Sequence, residues 1–228
     1  LEHEQTQSRI KGEIIMKAER SRHQGIMQPL TTLKAFLSNS TTGLRKDVLC
    51  HITCQIGDLM SELENNNRTH GKFSTRSILI DEDYTVTIID ASECSKLPYA
   101  WRAPETLREE KETRQDAWSF GCVVWSLLTR TEPFSNLDNP AILYNIGSNT
   151  LKLAPPHDCP NSLKSIMNEC WRDDPSTRSS FKEIKKILRQ LKPELHAISK
   201  EAWDERVERW QKYATTYTLK KIRVNRQL

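Results

Sequence analysis

The side chains best able to ligate a metal or react are six cysteines: Cys50, Cys54, Cys94, Cys122, Cys159 and Cys170. Zinc sites gather such ligands as two close pairs. Cys50 and Cys54 form one pair, four residues apart, and no second Cys or His pair has matching spacing. The expectation is free thiols in a reducing, cytoplasmic compartment, with no metal and no cofactor. A second candidate is Asp90, which closes a β-like run at Thr85–Ile89. An aspartate there is either a turn residue or a metal ligand. A third group could do binding chemistry. Trp203, Val207, Trp210, Tyr213 (or Ala214) and Tyr217 recur every three to four residues, with Asp204, Glu205, Arg206, Glu208, Arg209 and Lys212 between them. Such an aromatic stripe must be buried somewhere. It either packs on its own domain or docks a protein partner or second copy, since Trp and Tyr dominate binding hot spots.

The elements that position these residues follow from pattern. Asp116–Thr129, D-A-W-S-F-G-C-V-V-W-S-L-L-T, is apolar on every face, and as a helix it must be central. Leu44–Leu63 carries Leu44, Val48, Leu49, Ile52, Ile56, Leu59, Met60 and Leu63 on one helical face. Ser77–Ile80 and Thr85–Ile89 read as a hairpin around Asp81–Asp83. Glu13–His23 reads as a helix. Ile26–Leu37 reads as a strand, a hinge and a short helix, and Thr106–Glu112 as a loop or short helix. Pro140–Ile146, Ser162–Trp171 and Ser179–Leu191 read as amphipathic helices. Lys192–Ser199, around Pro193, is expected to be a linker, and Lys200 to about Arg223 a last helix.

Composition narrows the partners. A net charge of +4 is small for a nucleic-acid binder, and no basic stripe interleaves with aromatics. No stretch approaches the ~20 apolar residues that span a bilayer, and no signal peptide is visible. The chain begins at Leu1, which reads as a piece of a longer protein.

Around the central helix lie W-R-A-P-E at Trp101–Glu105 and C-W-R-D-D-P-S-T-R-S-S-F at Cys170–Phe181. That series resembles the large lobe of a protein kinase, in which A-P-E precedes a buried helix opening D-x-W-S-x-G. The resemblance implies a mainly α fold: a kinase-like C-terminal lobe with a short β-hairpin, a truncated or incomplete N-terminal lobe, and an extra C-terminal helix. The corresponding division is 1–30 for the small-lobe remnant and hinge, 31–191 for the large lobe, and 192–228 for linker and helix. It also implies that Glu105 and Arg178 form a buried ion pair, and that Asp116 accepts backbone N–H bonds from the catalytic loop. Glu13 is either the small-lobe glutamate that pairs with a strand lysine or a solvated helix residue.

The same resemblance shows what has changed. The family's H-R-D-L-x-x-x-N segment reads H-G-K-F-S-T-R-S from His70 to Ser77. Lys72 stands at the catalytic aspartate, and an ammonium has donors but no acceptor. Ser77 stands at the metal-binding asparagine, and Gly71 at the arginine that would grip a loop phosphate. Thirteen residues further on, D-F-G reads Asp90-Ala91-Ser92. Neither G-x-G-x-x-G nor V-A-I-K occurs in the sequence. Scaffold kept and catalysis lost is the pattern of a pseudokinase.

Several stretches resemble particular kinase groups. L-L-T-R-T-E-P-F at Leu127–Phe134, G-S-N-T-L-K-L-A-P-P-H-D-C-P at Gly147–Pro160 and E-A-W-D-E-R-V at Glu201–Val207 resemble mixed-lineage and dual-leucine-zipper kinases. Arg76–Thr85 is similar to integrin-linked kinase. The His70-Gly71 opening also resembles necroptosis pseudokinases and receptor guanylyl cyclases. The expected function is an inactive scaffold or allosteric regulator in signalling, with protein partners on the large lobe and C-terminal helix, a possible homodimer, no nucleic acid and no membrane insertion. The alternatives are a divergent phosphotransferase or a regulatory domain of a larger receptor or cyclase.

Overall fold

The computed structural model describes residues 30–39, 44–108, 114–148 and 150–225, with side chains as far as Ala214. Glu13 with its helix, and the 1–30 small-lobe remnant apart from Leu30, lie outside the described residues. The chain enters at β1 (Thr31–Thr32) and α1 (Leu33–Asn39), then runs through the long α2 (Lys46–Asn65). On α2, Val48, Leu49, Ile52, Ile56 and Met60 are buried, the face that their spacing selects. Strands β2 (Ile78–Ile80) and β3 (Val86–Ile88) follow. They pair antiparallel, Ile78 facing Ile88 and Ile80 facing Val86, and β1 adds a third antiparallel strand against β2. The turn between them closes on Asp81, whose carboxylate accepts from the N–H groups of Asp83 and Thr85 at 3.0 and 2.8 Å.

After a 3₁₀ turn at Tyr99–Trp101 come α3 (Pro104–Leu107) and α4 (Gln115–Thr129). Every residue of α4 is buried, as its all-round apolar surface requires. A Cβ on Gly121 would lie 2.7 Å from Trp171 Nε1 and 2.9 Å from Cys170 Cβ. The glycine is what lets the next layer approach. Next come α5 (Asn139–Gly147), α6 (Asn161–Cys170) and α7 (Phe181–Leu188), and it is the end of α6 that Gly121 admits. A capping box starts α7: Glu183 N–H donates to Ser180 Oγ at 3.3 Å, and Ser180 N–H to Glu183 Oε2 at 2.8 Å.

The expected linker at Lys192–Ser199 is instead mostly helical, α8 (Leu191–His196). Pro193 is the third residue of α8, within the first turn, whose N–H groups have no carbonyl of the same helix to bond, so its missing N–H breaks no bond within α8. Leu191 and Leu195, one turn apart, are both buried. The last helix, α9, spans Lys200–Asn225 and packs against α4. Among the described residues no helix is long and apolar enough to cross a membrane.

Candidate functional site

The segment His70–Ser77 hangs from the first turn of α4. Asp116 Oδ2 accepts from His70 N–H at 2.6 Å, and Oδ1 from Gly71 N–H at 2.9 Å. Burial holds the Asp116 carboxyl above the usual carboxylate range, and the two N–H donors offset only part of that rise. Gly71 takes φ +70°, a conformation that suits glycine. Both ring nitrogens of His70 are engaged, Nδ1 accepting from Lys72 N–H at 3.1 Å and Nε2 lying 2.8 Å from Ile89 O. The loop is held from both sides.

Its chemistry-bearing side chains are turned to structural work. Lys72 Nζ donates to the Cys94 carbonyl at 3.0 Å, fastening the loop to the segment after Asp90. Ser77 is 1% exposed. Its hydroxyl donates to Ser74 O and accepts from Ser74 N–H, both at 3.0 Å. Asp90 Oδ1 caps its own turn, accepting from Ser92 N–H at 2.9 Å and Ser92 Oγ at 2.6 Å. Its Oδ2 lies 3.6 Å from Arg68 Nη2. A cleft of about 270 Å³ opens beside the loop, with Lys72, Arg76 and Lys96 against Glu93 among the groups lining it. Asp90 is not in that lining. Among the described residues, no three or more His, Cys, Asp or Glu side chains cluster as a metal ion would need.

Glu105 and Arg178 meet deep inside the lobe. Arg178 Nη1 and Nη2 donate to the two Glu105 oxygens at 2.6 and 2.8 Å, and Nε donates to Arg172 O at 3.0 Å. The guanidinium also lies over the Trp118 ring at 5.0 Å. One bridge was missed from the sequence. Gln115 Oε1 accepts from Ala103 N–H and Thr106 Oγ1 at 2.9 and 2.5 Å, and Nε2 donates to Trp101 O at 3.2 Å. A glutamine opening a helix gives no sequence signal of that role.

The tail's aromatic stripe lies on its own lobe. Trp203, Val207, Trp210 and Ala214 are all buried. Trp203 Nε1 donates to Leu44 O at 2.9 Å and Trp210 Nε1 to His157 O at 2.7 Å. The two rings meet edge to face at 5.3 Å. As a correction to the docking alternative, Trp203, Val207 and Trp210 are covered by the chain itself and present no free stripe. Ala214, not Tyr213, continues the buried face, and the side chain of Tyr217 lies outside the described residues.

A family profile described as protein tyrosine and serine/threonine kinase matches residues 26–188. The chain belongs to that family. Among its curated relatives is mitogen-activated protein kinase kinase kinase 12 of Rattus norvegicus, 34% identical over 137 residues, 55% of this chain and 15% of that protein. Mitogen-activated protein kinase kinase kinase 13 of Homo sapiens is 29% identical over 163 residues, 66% of this chain and 17% of its own length. Mitogen-activated protein kinase kinase kinase dlk-1 of Caenorhabditis elegans is 26% identical over 190 residues, 77% and 20%. The chain therefore spans a fifth or less of these relatives. The mostly helical body with a small three-stranded sheet is the large lobe of the kinase fold.

Proposed function

We propose that this kinase-family lobe does not transfer phosphate and acts as a protein-interaction scaffold or allosteric subunit in cytoplasmic signalling. One observation carries the reading: the groups at the catalytic and metal positions are occupied elsewhere. Lys72 is bound to the Cys94 carbonyl, Ser77 to Ser74, and Asp90 to Ser92 and Arg68. Phosphoryl transfer needs a carboxylate on the substrate hydroxyl and oxygens on two magnesium ions. The scaffold pair Glu105–Arg178 and the Asp116 anchor are meanwhile fully formed, which supports a domain kept for its shape.

The relatives' names and the retained Asp90 favour a second reading, a divergent phosphotransferase. Thermal unfolding with ATP and Mg²⁺ separates the two. A ligand at 100 times its Kd that binds only the folded state adds about 2.7 kcal/mol. The expected result is an unchanged melting temperature at millimolar ATP, and a clear rise favours the phosphotransferase.

A further inference from the structure

A second cleft, about 610 Å³ and chiefly apolar in its walls, opens between α2 and the α7–α8 corner. Two contacts fix how its sides run. At the start of α2, Lys46 Nζ donates to Ile198 O, just past α8. Further along α2, Leu188 packs on Gly57, where an added Cβ would lie 2.5 Å from the leucine Cδ1. The two sides are therefore antiparallel. Cys50 and Cys54, half-buried and one turn apart on α2, face the buried Leu188 and Leu195 across the cleft. Uncharged cysteine behaves as a small hydrophobe, so these four make an apolar floor. The rim is cationic, with Lys46, His51, Arg189, Lys192 and His196. Among the described lining residues the one carboxylate is Asp47, and it is already bridged to Arg45 at 2.9 Å.

We propose that this cleft binds a medium-chain fatty acid, with the tail along the Cys50–Cys54 and Leu188–Leu195 walls and the carboxylate among the rim cations. Size selects a small molecule over a protein partner. Ten described residues line the cleft, against roughly 20–30 on each side of a standard protein interface. Its volume falls inside the roughly 300–1,000 Å³ of small-molecule sites, which join apolar walls to a few polar groups. Charge selects an acid, since the rim offers permanent cations at Lys46, Arg189 and Lys192. Length selects the tail. Lys46 to Cys54 spans about 12 Å along α2 at about 1.5 Å per residue. Extended chains advance about 3.5 Å for every three bonds, so a tail of about ten carbons fills that length.

The test is equilibrium dialysis of the full chain against radiolabelled saturated fatty acids of increasing length, each below its micelle threshold, with 1-decanol as the uncharged comparison. Kd is expected to fall roughly three- to four-fold per methylene while the tail is still being buried. The gain should stop at about ten to twelve carbons, where the walls end. Decanoate should bind about five-fold tighter than decanol, the upper range for an exposed ion pair. That margin should shrink as added salt screens the rim. Arg189→Glu with Lys192→Glu, both at exposed positions, should erase the margin while decanol binding and the melt stay unchanged. Cys50→Phe, which fills the cleft, should weaken acid and alcohol alike by more than ten-fold. No saturable binding, a gain that continues past the wall length, decanol as tight as decanoate, or a margin that survives the double reversal each overturns the proposal. So does an acidic amphipathic peptide that displaces decanoate at a lower concentration than decanoate itself requires, since the cleft would then be a protein groove.

Discussion

Arg178→Ala should lower the stability of this lobe by about 3–5 kcal/mol, because Glu105 is left charged and buried without its partner. Arg178 is 0% exposed and Glu105 2%, so both charges are out of contact with solvent. The change also removes the Nε bond to Arg172 O and the contact with Trp118. For a domain of this size that corresponds to a drop of roughly 10 °C in melting temperature. Lys72→Ala is the comparison. It loses one partly exposed bond to Cys94 O and should cost about 1 kcal/mol or less. Denaturant melts of the two variants give the order directly. A Lys72→Ala loss exceeding that of Arg178→Ala would mean that the motif assignment is misplaced.

Trp210→Ala should cost a similar amount, about 3–5 kcal/mol, the usual range for truncating a buried tryptophan. Trp210 is 1% exposed, meets Trp203 edge to face, and satisfies the His157 carbonyl, which the alanine would leave without that donor. Deleting residues from Glu201 onward should be worse, since Trp203, Val207 and Ala214 leave with it. The expected outcome is a large fall in melting temperature with the oligomeric state unchanged on size exclusion. Loss of a dimer with an unchanged melt would mean that the stripe serves a partner and not the lobe.

The parts of this structure that could be read in the sequence are those where a single pattern dominates. Asp116–Thr129 had no polar face to offer solvent, so its burial along its whole length was forced. The spacing of Val48, Ile52, Ile56 and Met60 gave the buried side of α2 in the same way. Around Lys192–Ser199 the pattern misled: Pro193 looked like a helix breaker, yet at the first turn of α8 it breaks no bond. The stripe of α9 was visible, but what covers it was not, because amphipathicity specifies a buried face without naming the surface that buries it. At the loop the residue types were plain and their orientations were not. Ser77 stands at the family's metal-binding position, whereas its hydroxyl is a staple within the turn it shares with Ser74. Gln115 escaped notice for the same reason: three bonds to a neighbouring loop leave no trace in local sequence.

If this lobe keeps the kinase fold without its chemistry, it should move no phosphate from radiolabelled ATP. The full chain is incubated with Mg²⁺ and a general protein substrate beside an Asp90→Ala control. Lys72→Asp is included because it restores a carboxylate at the position of the base. That variant should remain silent, since Ser77 stays tied to Ser74 and Asp90 to Ser92 and Arg68. All three proteins should show the same background incorporation. Incorporation by the unmodified chain above the Asp90→Ala level would show that this lobe is an active phosphotransferase.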